Sequence, residues 1–427
     1  MFGRLGFTLA AFLSLQIGHA AAEELSPGEY LARASNCIAC HTATDGKPYA
    51  GGLRMATPVG DIFTTNITPD RETGIGDYTL ADFDRAVRGG VTKDGRRLFP
   101  AMPYPSYAKM NDSDVAALYD FFIKAVTPVR QANVVSSLGW PWNTRLPMMV
   151  WNSVSVEWGT YREKSARDAE WNRGAYLVQG PGHCGACHTP RNLMFTEKGY
   201  DESSFAYLSG GNLDNWSAPN LTSDANTGLG RWSEDDIADY LKSGRNRHAT
   251  AFGTMREVID YSMQYLTDAD RRAIAKYLKS LPGMNDTGKP IWAYDGRAQA
   301  ALDKGETGIA GAAGYLRQCA SCHGKDGRGV MDAPPLAGNP VVLDPDAASL
   351  VNIVLNGSKA LAIGAPPRTP TMPQFRTFMD DRQIADVVSF MRRSFGNDAA
   401  SIAPSQVAQM RKDTDVESGR HIILRMR

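Results

Sequence analysis

The chain of 427 residues is poor in several things, and each shortage excludes a class. Six cysteines are too few to staple a chain of this length, which excludes a disulfide scaffold. Lysine plus arginine and aspartate plus glutamate balance at 46 each, so the basic excess of a nucleic-acid binder is missing. No apolar run reaches the roughly 20 residues of a spanning helix. The longest, Leu5 to Ile17, is broken by Thr8, Ser14 and Gln16. No nucleophile–base pair, phosphate loop or dinucleotide fingerprint stands out, so no catalytic residue for substrate chemistry is expected in this chain. With 43% hydrophobic and 22% charged residues the composition is globular, and the length suggests about three domains.

The N-terminal run follows Arg4 and ends at Ala20-Ala21-Ala22 before Glu23, the order of a secretory signal peptide. Residues 1–22 are therefore expected to be removed on export. The mature chain is expected on the periplasmic side of the bacterial cytoplasmic membrane.

What is present is concentrated in the cysteines. All six fall in Cys-x-x-Cys-His: Cys37, Cys40 and His41; Cys184, Cys187 and His188; Cys319, Cys322 and His323. Two thiols at this spacing reach one face of a helical turn and can add to the two vinyl groups of a haem. The next imidazole then faces the iron. Zinc would gather such pairs in twos, a thioredoxin-like centre needs one pair, and a disulfide needs no histidine. With seven histidines in the chain, three such successions would arise by chance about four times in a million. The spacing predicts three covalently bound haem c groups with His41, His188 and His323 as axial ligands. His19, His183, His248 and His421 are read as non-ligands; His183 abuts Cys184 and is expected at the surface or in a hydrogen bond, with lining of the haem edge as the alternative.

Internal similarity predicts an all-α fold of three tandem class I cytochrome c-like domains, each wrapped around one haem. Domain one is expected over 23–125, domain two over 171–281 and domain three over 310–396. A Trp- and Pro-rich linker covers 126–170, a plainer linker 282–309, and a polar tail 397–427. Gly28, Tyr30 and Leu31 ahead of the first haem motif match Gly174, Tyr176 and Leu177 ahead of the second. In the third, Gly314, Tyr315 and Leu316 lie closer to the cysteines, so its leading helix is expected to be arranged differently. Asn66-Ile67-Thr68 and Thr73-Gly74-Ile75-Gly76 match Asn220-Leu221-Thr222 and Thr227-Gly228-Leu229-Gly230. Thr79 with Asp82 and Ser233 with Asp236 read as capping boxes, whose helices stop near Gly89 and Gly244. Each domain closes on an amphipathic helix, marked by Val115, Leu118, Tyr119 and Phe122, then Ile274, Tyr277, Leu278 and Leu281, then Ile384, Val387, Val388 and Met391.

A haem so attached needs a second axial ligand, and thioether sulfur raises its potential. Met102, Met255 and Met372 are the expected ligands, each in a loop between the glycine-stopped helix and the last helix. Met55, Met110, Met263, Met331 and Met379 compete for the role. Trp140, Trp142, Trp151 and Trp158 crowd the first linker, as in a docking surface or as a cover for its two neighbours.

On these residues the chain resembles the triheme cytochrome c subunits of bacterial membrane-bound dehydrogenases for gluconate, sugars, alcohols or aldehydes. The strings NITPD…TGIG, FPAMPYPSY, WNRGAYLVQGPGHCGACHTPR and GLGRWSEDDIADYL carry the likeness beside the three haem motifs. The resemblance implies a separate large dehydrogenase subunit, flavin-dependent as in the gluconate 2-dehydrogenase type, and a small subunit. It implies one-electron transfer through this chain to ubiquinone, peripheral membrane association and no nucleic acid. The alternatives are the cytochrome subunit of a molybdenum-dependent aldehyde dehydrogenase, a free periplasmic shuttle, or a peroxidase with one open haem.

Overall fold

The structure, a computed structural model, describes residues 25–57, 59–144, 146–213, 215–284, 288–330, 332–363 and 371–415. The expected signal peptide, His19, Met331 and His421 lie outside the described residues.

Three helical units follow one another, each built on a leading helix that crosses a terminal helix. Pro27–Ala34 crosses Asp112–Asp120, whose end widens into a π-helical turn over Phe121–Ala125. Ala169–Gln179 crosses Asp268–Lys279, and Ala312–Gln318 crosses Asp381–Arg393. The predicted stripes are the buried faces: Val115, Leu118 and Phe122, then Ile274, Tyr277 and Leu278, then Ile384, Val387, Val388 and Met391. Glycine sets the closeness of each crossing. A β-carbon on Gly28 would meet the Ala117 carbonyl oxygen at 2.1 Å, and one on Gly174 that of Ala273 at 1.9 Å. In the third unit the same place belongs to Gly311, 2.1 Å from the Asp386 oxygen. The third leading helix is arranged differently, as expected: Gly311 caps Ala312–Gln318 at φ 86°, whereas Gly28 and Gly174 lie inside their helices.

Local signals act as read. Thr79 and Asp82 form a reciprocal capping box at Leu80–Val87, as do Ser233 and Asp236 at Glu234–Ser243. Gly244 ends the latter in the left-handed region at φ 69°. In the first unit that conformation falls to Gly90 rather than Gly89.

Four expectations are corrected. The fold is mainly helical but not all-α: Arg54–Thr57 pairs with Gly60–Phe63, which pairs with Ser137–Leu138. A second hairpin joins Gly211–Leu213 to Trp216–Ala218. Second, the linker 126–170 carries a helix, Leu146–Ser155, whose Met148 and Trp151 pack on Phe99 and Tyr104 of the first unit. The Trp151 Nε1–H donates to the Met194 carbonyl at 2.8 Å, so this indole is internal, whereas Trp140 and Trp158 are exposed. Third, the segment 282–309 carries a helix, Arg297–Asp303, that buries Leu302 in the third core. Fourth, the tail carries Pro404–Asp413, held against the third unit by buried Val407. One apolar contact face on an otherwise polar helix leaves too weak a period to read.

Neighbouring units share cores. Ala34 of the first unit and Leu361 of the third both belong to the apolar cluster of the second.

Candidate functional site

Each Cys-x-x-Cys-His motif forms a single helical turn: Cys37–Cys40, Gly185–His188 and Ala320–His323. None of the six cysteines, all among the described residues, forms a disulfide. Burial pushes Cys37, Cys184 and Cys319 up to about 12 and Cys187 up to about 11. These four are therefore neutral thiols at pH 7, which does not suit a redox nucleophile. Among the described residues no group of three or more His, Cys, Asp or Glu gathers to hold a metal ion.

The three histidines share one arrangement. Nδ1 of His41 lies 2.7 Å from the Thr65 carbonyl oxygen, that of His188 2.7 Å from Pro219, and that of His323 2.9 Å from Pro334. A carbonyl only accepts, so Nδ1 carries the proton and Nε2 keeps its lone pair. Burial lowers the pKa of each ring, against the opposing hydrogen bond, and keeps it neutral. A histidine that ligates a metal is oriented in this way, its other ring N–H given to a carbonyl.

The carbonyls explain the repeated Asn-x-Thr block, whose role the sequence did not reveal. Thr65 and Pro219 each precede its asparagine. Buried Asn66 accepts from the Thr68 N–H at 2.9 Å and donates to the Val129 oxygen at 2.8 Å. Asn220 repeats this with the Thr222 N–H at 2.8 Å and the Met284 oxygen at 2.7 Å. The block pins the acceptor strand to the start of the following linker. In the third unit Pro334-Pro335 stiffens the same place.

Each expected methionine packs against the cluster that holds its unit's cysteine. Met102 and Cys37 border the first core, Met255 and Cys184 the second, Met372 and Cys319 the third. All three stay partly exposed, while Met55, Met110, Met263 and Met379 are buried. One expectation is corrected: Met255 is not in a loop but on the first turn of Thr254–Tyr261.

The residues fit a haem. The donor set is thiol, neutral imidazole and accessible thioether in every unit. In the second, the Trp232 indole N–H is also buried without a partner, a donor left for a group that the protein does not itself supply. Beside the second motif lies Glu197, whose Oε2 would stand 2.6 Å from a β-carbon on Gly185. Burial pushes its carboxyl up to about 7, with Arg191 and Lys109 opposing.

Comparison with known proteins agrees with this geometry. A family model described as cytochrome c matches residues 25–125 and 172–282. Another, described as cytochrome c oxidase, cbb3-type, subunit III, matches 307–391. The chain is similar to the cytochrome c subunit of alcohol dehydrogenase (quinone) of Gluconobacter oxydans, at 48% identity over 95% of this chain and 87% of that one. It is similar to the gluconate 2-dehydrogenase cytochrome c subunit of Pantoea cypripedii, at 46% over 92% and 90%. The fructose dehydrogenase cytochrome subunit of Gluconobacter japonicus is 37% identical over 91% and 82%.

Proposed function

The chain belongs to the family of cytochrome c subunits of dehydrogenases, and from that premise we propose that it is a triheme electron-transfer subunit. Each of its three tandem units would hold one haem c. Cys37 and Cys40, Cys184 and Cys187, and Cys319 and Cys322 would carry the thioether bonds. His41 with Met102, His188 with Met255, and His323 with Met372 would be the axial pairs.

The observation that carries the reading is the threefold bond from histidine Nδ1 to a backbone carbonyl. It fixes each ring and aims Nε2 away from the acceptor strand. Bound haem supplies reversible one-electron chemistry at iron. The protein orients the imidazoles, supplies the sulfurs, and keeps water off with the helical crossings. With a histidine and a methionine of each unit committed to its haem, no place on the iron would be left for a substrate, which separates this reading from a peroxidase.

The donor in this proposal is a large dehydrogenase subunit, flavin-dependent and accompanied by a small subunit, and the acceptor is ubiquinone. The chain would work on the periplasmic side of the cytoplasmic membrane as a peripheral protein. No helix among the described residues is long and apolar enough to cross a membrane. The similarity to both alcohol and gluconate dehydrogenase subunits supports an alcohol- or sugar-type donor.

Haem assay with intact mass tests the core of the proposal. Three haems and no free thiol are expected, and two or fewer reject it. Co-purification tests the partner. A flavoprotein is expected, a quinoprotein would redirect the assignment to alcohol oxidation, and a molybdenum protein to aldehyde oxidation.

A further inference from the structure

The residue just before the first cysteine is left-handed in two of the three motifs: Asn36 at φ 51° and His183 at φ 38°. The fold asks for this conformation at both places. Asparagine and histidine are both enriched in it. A backbone need alone would be met by asparagine, as the first unit shows. At position 183 the side chain is instead a ring.

That ring lies against the first unit. It meets Tyr107 edge to face, centroids 5.7 Å apart and planes at 81°. The Tyr107 hydroxyl donates to the Ser35 carbonyl at 2.9 Å in a fully buried bond. Ser35 stands two residues before Cys37, and His183 directly before Cys184. Tyr107 belongs to the apolar core that Cys37 borders. One short path of packed groups thus joins the two motifs.

The surroundings hold this junction still. The turn Cys37–Cys40 packs on the helix Thr254–Tyr261, which bears Met255. Lys109, two residues beyond Tyr107, donates to Gln179 Oε1 at 3.0 Å and to the Tyr200 carbonyl at 2.8 Å. Ser262 Oγ reaches the Ala34 oxygen at 3.3 Å. The third motif has no such step, because Gln318 ends the helix Ala312–Gln318 directly before Cys319.

We propose that His183 is a positioning residue which, through Tyr107 and Ser35, couples the first and second haem sites as an electron-exchanging pair. The inference rests on the reading that both sites carry haem. The exchange is of one electron: ferrous iron in one unit becomes ferric as ferric iron in the other becomes ferrous. No proton or leaving group moves, and neither ring is oxidised. Coupling between sites travels through packed side chains of this kind.

The test uses the full-length haem-loaded protein, partly reduced, with NMR exchange spectroscopy on the axial methionine methyl signals. His183→Asn installs the residue that the first unit already uses at this place. It is expected to slow exchange between the first and second haems about tenfold or more, with haem content and thermal midpoint unchanged. His183→Phe keeps a ring, at a conformation that Phe195 and Phe395 also adopt in this chain. It is expected to recover most of the native rate. A fully loaded Asn variant exchanging at the native rate overturns the inference, as does a Phe variant no faster than Asn. Should the Asn variant lose haem, the Phe variant decides alone, near-native exchange supporting the inference and a tenfold loss overturning it. A peptide mass map of the native protein separates the underlying reading: a bare Cys37–Cys40 or Cys184–Cys187 pair overturns the haem assignment itself.

Discussion

Tyr30 donates its hydroxyl to Asp270 Oδ2 at 2.6 Å, although 240 residues separate them. The same carboxylate takes two bonds from Arg173, at 2.8 and 2.7 Å. Asp270 also sits in the first turn of its helix, whose N-cap is Thr267. One carboxylate thus ties the leading helices of two units to the terminal helix of the second. Burial alone would raise its pKa, but the bonds from Arg173 and Tyr30 more than offset this, and the group ends below the ordinary range. A depressed carboxylate stabilises the fold above its unfolded pKa, and that contribution fades as pH falls through the depressed value. Asp270→Asn is expected to cost about 1–3 kcal/mol at neutral pH, since Arg173 is left without its partner. Below about pH 4 the gap to the native protein should close. Denaturant titrations at both pH values check this.

Met102 and Met110 make a paired prediction, because only eight residues separate a proposed ligand from a core residue. Met102→Ala should remove the sulfur-to-iron charge-transfer band of one haem and lower its potential. Met110 is fully buried. Met110→Ala should leave every band in place and cost about 2–5 kcal/mol of stability. Visible spectra and thermal melts of the two variants would distinguish these roles, and a band lost in Met110→Ala would reverse the assignment.

Glu197 predicts the opposite pH dependence to Asp270. Its carboxyl, pushed up to about 7 by burial, favours the protonated form in the fold. Stability linked to it is fully present below the unfolded value and is lost as pH rises through about 7. The loss is on the order of 3 kcal/mol. Glu197→Gln should therefore flatten the decline between pH 5 and 8, as read by unfolding midpoints across that range.

The tryptophans of the segment 126–170 divide by burial. Trp151→Ala should cost about 3–5 kcal/mol, because it empties a packed site and frees the Met194 carbonyl. Trp140, 83% exposed, should tolerate alanine within about 0.5 kcal/mol. Equal costs in unfolding titrations would refute the placement of both rings.

What could be read beforehand was whatever is local. The haem motifs, the capping boxes at Thr79 and Ser233, and the stripes ending at Phe122, Leu281 and Met391 each span a few residues. What could not be read depends on partners far along the chain. Gly311 shows its role only against Asp386, and the strand Arg54–Thr57 only against Gly60–Phe63 and Ser137–Leu138. The Thr65, Pro219 and Pro334 carbonyls left no mark in the sequence, since every residue has one. The helix Pro404–Asp413 escaped because Val407 is its only buried residue.

Leu361 sets a limit on how this chain can be divided. Its methyl groups sit over Gly244, close enough that a β-carbon there would meet them at 2.7 and 2.8 Å. A fragment ending at residue 282 keeps that socket and loses its plug. It would present open apolar surface beside the Thr254–Tyr261 helix that bears Met255. Shortening the protein from its C-terminal side therefore damages the unit next to the cut, and a two-unit piece made in this way would be a poorer protein than two intact thirds of the original.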